Sequence, residues 1–365
     1  MERLCKAVSS TPHVLVIGAG VIGLTTALVL LRRGVRVTVI ADEFAPHLAS
    51  VVAGALWEWP PAVCGSHRDQ LSLSRSKKWC MVSYHAFADL AKQPGTGVFM
   101  RQVVFYFHQP VVSSVRHLAK MEELKTNVCG FRHDASLISE HGVNRDYGVV
   151  DAYSHLAPMI DTDAYMEWLR REVNHHRCGW VKRRVSSELP QCAAALIAEF
   201  RADLIVNCSG LGARDLGDSS VYPLRGALVR VLNTLTPPMH TAHCVADDES
   251  GKSDDMVFIV PRGTNLLVLG GLTEPHEWAI DINLENYEPV RRMYERCIDF
   301  LPRLRSALID TAEPVRVGLR PARRQNVRLE PEPGLPVIHS YGHGGSGVTL
   351  SWGCAEEVAS MVLGQ

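Results

Sequence analysis

An excess of charge of either sign is missing from this sequence of 365 residues. Its 38 lysines and arginines nearly balance its 39 aspartates and glutamates, which leaves a formal net charge of −1. The sequence therefore does not indicate a basic surface for nucleic acid or for an acidic membrane, and we expect neither partner.

Cysteine motifs and targeting segments are also missing. The ten cysteines include no C-x-x-C pair, and Cys208 and Cys354 lie in apolar segments where small buried thiols are expected. The first dozen residues lack the apolar stretch of a signal peptide, and residues 361–365 do not form a peroxisomal address. These absences predict a reduced, cytoplasmic location.

A membrane-spanning helix is not indicated either. Residues 13–31 form an apolar run of nearly sufficient length, but three glycines and two threonines interrupt the helix that a span requires. With 46% hydrophobic and 21% charged residues, the chain has the composition of a soluble globular protein. Its length allows about two domains with cores of their own.

The clearest pattern that is present is a nucleotide-binding motif near the start of the chain. The apolar run 14–17 predicts a parallel strand buried on both faces, and Gly18, Gly20 and Gly23 follow it with G-x-G-x-x-G spacing. In such a motif the first glycine permits a tight turn and the second lets the backbone approach a pyrophosphate. The third lets the following helix pack closely on the strand.

The residues after these glycines complete the motif. Apolar residues at helical spacing predict a helix that ends at Gly34, and the β-branched segment 35–40 predicts the next strand. The amino terminus of such a helix favours phosphate groups, and Asp42 can accept hydrogen bonds from ribose hydroxyls. Strand, helix, strand and acid in this order predict a βαβ nucleotide site.

Periodicity predicts further elements along the chain. We expect helices over 71–91, 115–124 and 161–175, strands over 100–107, 202–208, 228–232, 256–260 and 266–269, a loop over 53–61 and a turn-rich stretch over 247–255. The strand 202–208 ends in S-G-L-G-A, which is either a second backbone approach to the same ligand or a structural turn. The three last strands favour an antiparallel sheet in a second domain.

A second glycine-rich segment lies near the end of the chain. Residues 341–350 contain four glycines in six positions and lead into an apolar segment that begins at Val348. Backbone N–H groups at the start of a helix suit contact with a ligand, so we expect a binding role here.

Taken together, these motifs carry a family resemblance. They are Gly18-Ala19-Gly20-Val21-Ile22-Gly23-Leu24, Asp42, the loop 53–57, Asn207-Cys208-Ser209-Gly210, Gly318-Leu319-Arg320-Pro321 and Tyr341-Gly342-His343-Gly344-Gly345. In this order, over nearly the whole chain, the sequence resembles the FAD-dependent D-amino-acid oxidases, with D-aspartate oxidase and glycine oxidase as near relatives. The resemblance implies that the nucleotide is FAD rather than NAD.

The resemblance also implies the architecture. An α/β fold is expected in which a Rossmann-like FAD-binding domain, residues 1–58, 152–226 and 312–365, is interleaved with an antiparallel-sheet substrate domain, residues 59–151 and 227–311. This arrangement is that of D-amino-acid oxidase and of glutathione-reductase-like flavoproteins.

Roles for individual residues follow from the same resemblance. Arg320 matches the arginine that binds the substrate carboxylate, with an internal ion pair to Glu313 as the alternative, and Gly345 matches the carbonyl that receives the substrate amino group. Flavin contacts are implied at Gly18, Gly20, Val21, Ile22, Gly23, Asp42, Ser50, Ala55, Leu56, Val185, Ser209, Gly210, Gly344, Gly345, Ser346, Gly347, Val348 and Thr349. For Ser346 and Thr349, ordinary helix capping is the alternative.

The sequence departs from the family pattern at the substrate site. Family members usually have a tyrosine where Phe258 precedes Ile259-Val260-Pro261, and residues 251–255 lack the aromatic residue of the family's lid. Tyr106 or Arg101 could instead bind the substrate carboxylate in place of the missing hydroxyl. The alternatives are core packing for Tyr106 and a solvated strand edge for Arg101. Glu58 and Trp59 either line the pocket or pack between domains.

The resemblance implies oxidative deamination of a D-amino acid. Its Cα hydrogen would leave as hydride to N5 of FAD, and the imino acid would hydrolyse to a 2-oxo acid and ammonia. Dioxygen would reoxidise the flavin and give hydrogen peroxide. The expected partners are thus an amino acid and dioxygen, and the oligomeric state is left open, with a homodimer as one option. No metal is expected, although His339 and His343 are spaced like ligands.

Two other functions stay open at this point. The first is a related amine oxidase that acts on glycine, on a secondary amine such as sarcosine, or on an acidic D-amino acid. The second is a non-catalytic, FAD-bound redox sensor.

Overall fold

The first sheet consists mainly of parallel strands, and its central strands are buried on both faces. The computed structural model describes residues 11–60, 69–245 and 256–364. Val14, Leu15 and Val16 are fully buried, as their unbroken apolar run predicts. In spatial order the strands are β14 (Arg328–Pro331), β15 (Val337–Tyr341), β7 (Leu204–Asn207), β1 (His13–Ile17), β2 (Arg36–Ala41) and β6 (Gly179–Lys182). The pairs within β15-β7-β1-β2-β6 are parallel, and β14 is antiparallel to β15.

The second sheet has nine strands among the described residues and is mostly antiparallel. Its order is β12 (Glu274–Pro275), β8 (Val221–Leu232), β11 (Leu266–Gly270), β10 (Val257–Arg262), β9 (Ala242–Val245), β3 (Val98–Phe107), β5 (Asp151–Ile160) and β4 (Arg132–His133), with β13 (Val315–Arg323) also paired to β8. Only β3 and β9 run parallel in these pairings. The predicted α/β class with two sheets is confirmed.

Helices cover both sheets. Within the described ranges they are α1 (Val21–Arg32), α2 (Ala49–Val52), α3 (Gln70–Leu90), α4 (Val115–Asn127), α5 (Leu137–Glu140), α6 (Thr162–His175), α7 (Leu189–Phe200), α8 (Glu288–Phe300) and α9 (Gly347–Leu363). The helices predicted over 71–91, 115–124 and 161–175 correspond to α3, α4 and α6. No helix in the described part of the chain is long and apolar enough to cross a membrane.

Helices α1 and α9 lie in the core. Residues 21–30 of α1 are all buried, as expected for a helix that is apolar around its whole circumference, and α1 packs against α9 and α6. Helix α9 also packs against α3, where Gly353 faces the backbone of Trp79 so closely that a Cβ at Gly353 would clash. Both helices are therefore fixed along their length by the protein interior.

Two strands of the predicted FAD-domain segments pair within the nine-stranded sheet. Strand β5, predicted to open a segment of the FAD domain at residue 152, pairs along its whole length with β3. Strand β13, also predicted there, pairs with β8 from Val315 to Arg323. By hydrogen bonding, both strands belong to the nine-stranded sheet. The predicted division into domains stays a prediction, and the stretch 247–255 lies outside the described residues.

Candidate active site

A cavity of about 960 Å³ lies between the two sheets. The ends of β1, β2 and β7 and the amino termini of α1 and α9 form one part of its wall, and β8, β10 and β13 form another. The structure brings most of the predicted site residues together here: Gly18, Gly20, Val21, Ile22, Asp42, Ser50, Ala55, Leu56, Val185, Ser209, Gly210, Phe258, Arg320, Gly344, Gly345, Ser346, Gly347, Val348 and Thr349. Residues predicted from segments more than 300 positions apart therefore surround one cavity.

The turn from β1 into α1 needs its glycines. Gly18 has φ +112°, and a Cβ there would clash with the carbonyl group of Cys208 on the neighbouring strand. Gly20 precedes α1 without a side-chain cap, while the hydroxyl of Ser50 accepts a hydrogen bond from the N–H of Val21 at 2.9 Å. Gly23 faces away from the cavity, towards the Gly18 carbonyl, which is the packing role that its place in the motif predicts.

Asp42 lies at the end of β2 in the same cavity. Its carboxylate is 3.6 Å from the guanidinium of Arg184, which forms a closer ion pair with Asp215 at 2.7 Å. Val185, the next residue, also lines the cavity. The sequence did not single out Arg184, because no pattern in the neighbouring residues shows that it lies close to Asp42 in the fold.

The second and third glycine segments line the same part of the wall as the first. Gly210 follows β7 with φ +60°, and Gly344 precedes α9 with φ +54°. Helix α9 begins at Gly347 without a side-chain cap hydrogen bond from Ser346, so the capping alternative for this residue is not what the structure contains. The amino termini of two helices thus face one cavity, where their dipoles favour negative charge.

Arg320 is a cation without a counter-charge. No carboxylate of the described residues lies within 4.0 Å of its guanidinium, whose Nη1 donates to the carbonyls of Leu272 at 3.2 Å and Arg225 at 3.4 Å. Burial lowers the pKa of Arg320 to about 10, so it remains charged at neutral pH. The alternative partner, Glu313, instead pairs with Arg230 and Arg316, each at 2.7 Å.

The wall near Arg320 is largely apolar. The ring of Phe258 packs against Gly54, where a Cβ would lie only 2.5 Å from Cε1. Leu228, Met256, Trp278 and Ile280 also line the cavity, and the last two are more than half exposed. Glu58 lines it too, with its carboxylate 2.9 Å from Lys120.

Tyr106 does not lie in this cavity, which corrects its predicted role. Side chains alternate along a strand, so Phe105 faces the side of the sheet shared with Phe258, whereas Tyr106 faces the opposite side. There it is fully buried, and its hydroxyl is 2.9 Å from Nδ1 of His243. Burial raises its pKa well above the usual range.

Two other candidates also lie elsewhere. Arg101 does not line the cavity; its guanidinium lies 4.2 Å from the ring centre of Phe99. Trp59 donates to Glu123 at 2.8 Å and does not line the cavity either, in contrast to its neighbour Glu58. The predicted absence of a lid aromatic at 251–255 falls outside the described residues.

The two histidines with ligand-like spacing have separate environments. His339 contacts the carboxylate of Glu332 at 2.8 Å and the amide of Asn207 at 3.3 Å. His343 lines the cavity, and burial lowers its pKa to about 3, so it is neutral at physiological pH. Within the described ranges, no group of three or more histidine, cysteine, aspartate or glutamate side chains is arranged to hold a metal ion.

Comparison with known proteins identifies the family. A family model described as FAD dependent oxidoreductase (DAO) matches residues 13–361. The chain belongs to this family. The family's cofactor is FAD, which confirms the prediction of FAD rather than NAD.

Relatives and solved structures agree with the family. A D-amino-acid oxidase of Streptomyces coelicolor is 35% identical over 355 residues, which cover 96% of each chain. A human D-aspartate oxidase is 30% identical over 364 residues, covering 96% of this chain and 95% of that protein. The crystal structure of glycine oxidase from Geobacillus kaustophilus matches with a TM-score of 0.75 at 15% identity over 97% of this chain and 96% of that one, a likeness of fold.

The cavity fits the family's cofactor. Gly18 and Gly20 line the cavity at the turn where such a motif brings backbone close to a pyrophosphate, and the amino termini of α1 and α9, neither capped by the side chain of the preceding residue, face the same cavity. Asp42, at the end of β2, has the position of the acid that binds ribose in such motifs. These features were visible in the sequence, unlike the packing of Gly226 described below.

Proposed function

We propose that the protein catalyses the FAD-dependent oxidative deamination of a D-amino acid. The observation that carries this proposal is the guanidinium of Arg320, which has no counter-charge among the described residues and lies in the same cavity as the glycines of the nucleotide-binding motif. The identity to D-amino-acid oxidases supports it. The products would be a 2-oxo acid, ammonia and hydrogen peroxide.

FAD would be held mainly by residues in the part of the cavity wall that the ends of β1, β2 and β7 and the amino termini of α1 and α9 form. In this proposal they are Gly18, Gly20, Val21, Ile22, Asp42, Ser50, Ala55, Leu56, Val185, Ser209, Gly210 and 344–349, with Gly23 in a packing role. The chemistry that FAD supplies when bound is acceptance of a hydride from Cα, with dioxygen as the final acceptor.

The side chains of this protein would bind and orient the substrate. Arg320 can receive a carboxylate in a bidentate manner, since its planar guanidinium stays charged when buried. The carbonyl of Gly345 would accept a hydrogen bond from the amino group. His343 has a pKa of about 3 and therefore does not act as a base at neutral pH. The proposal accordingly needs no side-chain base, provided that the amine binds in its neutral form.

The charges around the cavity favour a neutral side chain over an acidic one. Leu228, Met256 and Phe258 form an apolar wall, and the carboxylate of Glu58, which also lines the cavity, is paired with Lys120. Three further arginines line the cavity: Arg183 and Arg184 are paired with Glu199 and Asp215, each at 2.7 Å, and Arg214 donates to the carbonyl of Val221 at 3.1 Å. An acidic side chain would need a second cation beside this apolar wall, so we place D-aspartate below neutral D-amino acids.

Anaerobic mixing tests this proposal directly. The FAD-loaded protein is mixed with D-alanine, D-valine, D-phenylalanine, D-aspartate, glycine, sarcosine and the L-enantiomers, and the flavin absorbance is followed. Rapid bleaching with neutral D-amino acids, and peroxide on admission of air, is the expected result. Bleaching by glycine or sarcosine alone would favour a related amine oxidase, and no bleaching by any amine would favour a redox sensor.

A further inference from the structure

Gly226 occupies a position where the backbone itself does not need a glycine. It lies within β8, directly opposite Gly318 of β13, and its φ is outside the left-handed region. A glycine inside a strand weakens the strand and often marks a close approach by another group. The reason for this glycine therefore has to be sought in what lies above it.

The group above Gly226 is the guanidinium of Arg320. A Cβ built on Gly226 would come closer than 3.0 Å to three of its atoms, Nη1, Cζ and Nη2. Contact with all three atoms means that the guanidinium lies over the Cα of Gly226. Because the clash would be with the end of a long side chain and not with backbone, a methyl group here would displace Arg320 and leave the sheet in place.

Hydrogen bonds hold one end of the same guanidinium. Nη1 donates to the carbonyls of Leu272 and Arg225, the residue before Gly226. Nε and Nη2 have no hydrogen-bond partner among the described residues, and neither is sealed from the cavity. Parallel N–H groups on this edge match the two oxygens of a carboxylate.

We propose that Gly226 is a positioning residue for substrate binding. The lack of a side chain at Gly226 sets the plane of the Arg320 guanidinium, so that the Nε and Nη2 edge receives the carboxylate. This inference rests on the proposed function, because it takes the ligand of Arg320 to be the substrate's carboxylate.

The test uses Gly226→Ala and benzoate, a carboxylate that cannot be oxidised in this way. Benzoate binding is measured by the change in flavin absorbance of the FAD-loaded protein. We expect its Kd to rise by about tenfold or more, the scale of a lost charge-assisted hydrogen bond. The KM for a D-amino acid should rise with it, and FAD affinity, measured by fluorescence, should be unchanged.

A double variant separates positioning from a general effect on the sheet. In the Arg320→Ala background, Gly226→Ala should weaken benzoate binding no further, because the side chain through which it acts is gone. An additional weakening of equal size would overturn the proposal. Gly179→Ala is the matched control. Gly179 lies in strand β6, away from Arg320, and its Cβ would meet Oγ1 of Thr38 on the neighbouring strand β2 at 2.7 Å, so benzoate binding should not change.

The remaining outcomes are also informative. If Gly226→Ala fails to retain FAD but the double variant with Arg320→Ala retains it, the clash with Arg320 is supported; if both fail, the sheet itself needs the glycine and the proposal is wrong. Benzoate binding that depends on Gly226, without bleaching by any D-amino acid, would reject only the proposed function. Bleaching with an unchanged KM in Gly226→Ala would reject only this inference.

Discussion

The charge of Arg320 should make the cavity prefer ligands that carry a carboxylate. Its guanidinium is largely shielded from bulk water, and its hydrogen-bond partners among the described residues are two backbone carbonyls. A carboxylate that enters the cavity supplies the missing counter-charge, which gives a strong and directional interaction.

Arg320→Ala should abolish most of this recognition. We expect kcat/KM for D-amino acids to fall by an amount equivalent to about 3 to 5 kcal/mol, the cost of removing one member of a buried charge pair. FAD should remain bound. Steady-state kinetics and flavin absorbance provide the measurements, and Arg101→Ala, which removes an arginine outside the cavity, should leave kinetics unchanged. Equal effects of the two substitutions would contradict the role of Arg320.

Benzoate binding should depend on pH in one direction only. The pKa of Arg320 is lowered to about 10 by burial, so the cation is present at neutral pH and is lost as the pH rises towards that value. The Kd should therefore be constant from about pH 6 to about pH 9 and should rise above that range. Titration of the FAD-loaded protein at a series of pH values measures this. A change in Kd near pH 6.5 would instead indicate a histidine.

Tyr106→Phe provides a contrasting test at a residue that the sequence placed in the site. Its hydroxyl contacts His243 on the far side of the sheet, so kcat/KM should not change. The free energy of unfolding should fall by about 1 kcal/mol, as is typical for a lost buried hydrogen bond. Denaturant titration and initial rates distinguish the two effects, and a large rise in KM would return Tyr106 to the site.

At the scale of elements, Asp218 joins the two sheets. Its carboxylate accepts hydrogen bonds from Arg323 at the end of β13 and from Tyr341 at the end of β15, each at 2.8 Å. Burial opposes its ionisation, but the hydrogen bonds from Ser220, Arg323 and Tyr341 outweigh this and lower its pKa to about 2. A lowered pKa in the folded state contributes stability above the unfolded pKa, and this contribution is lost as the pH falls.

Asp218→Asn should therefore remove a pH-dependent part of the stability. For the native protein, this carboxylate contributes about 2 kcal/mol that is present above pH 4 and lost as the pH approaches 2. The variant should be less stable at pH 7 and should lose less stability between about pH 4 and about pH 2. Denaturant unfolding at several pH values tests this. Parallel pH profiles for the two proteins would show that Asp218 is not responsible.

The sequence predicted the individual helices and strands better than it predicted which strands pair with each other. Local periodicity revealed α1, α3, α4 and α6, because burial of one face or of a whole element leaves a pattern in adjacent residues. It did not reveal that β5 and β13 pair in the nine-stranded sheet, because strand partners are chosen by contacts distant in sequence. For the same reason, the sequence did not reveal which side of the sheet Tyr106 faces. Alternation along a strand shows that neighbouring residues face opposite sides, but it does not show which of the two sides faces the cavity.

Within the site, the glycine motifs were the most predictable part. Gly18 and Gly20 meet a backbone requirement that is tied to their spacing, so the sequence alone indicates their role. The position of Gly226 under Arg320 has no such signal beyond a glycine within an apolar strand. The departure at Phe258 was visible only through the family resemblance, and the structure adds that its ring packs on Gly54.

At the scale of the whole molecule, one cavity connects both sheets, so its ligand should stabilise the complete fold. Removal of FAD should lower the Tm, and excess FAD should restore it, because binding to the native state alone adds about 2.7 kcal/mol at a free concentration 100 times the Kd. Differential scanning calorimetry of the two forms checks this. Size-exclusion chromatography on the same samples determines whether the protein is a monomer or the homodimer that remains open. An unchanged Tm would mean that FAD does not bind preferentially to the native state.

Helix α9 begins at the cavity but is packed between α1 and α3 for the rest of its length. Because Gly353 lies against the backbone of Trp79, we expect the first turn of α9, whose amide groups we propose to bind FAD, to be held in place before the cofactor binds. We therefore expect small molecules to enter and leave the cavity at its exposed rim near Trp278 and Ile280. In hydrogen–deuterium exchange the two regions should behave oppositely, with slow exchange at the start of α9 and fast exchange at that rim.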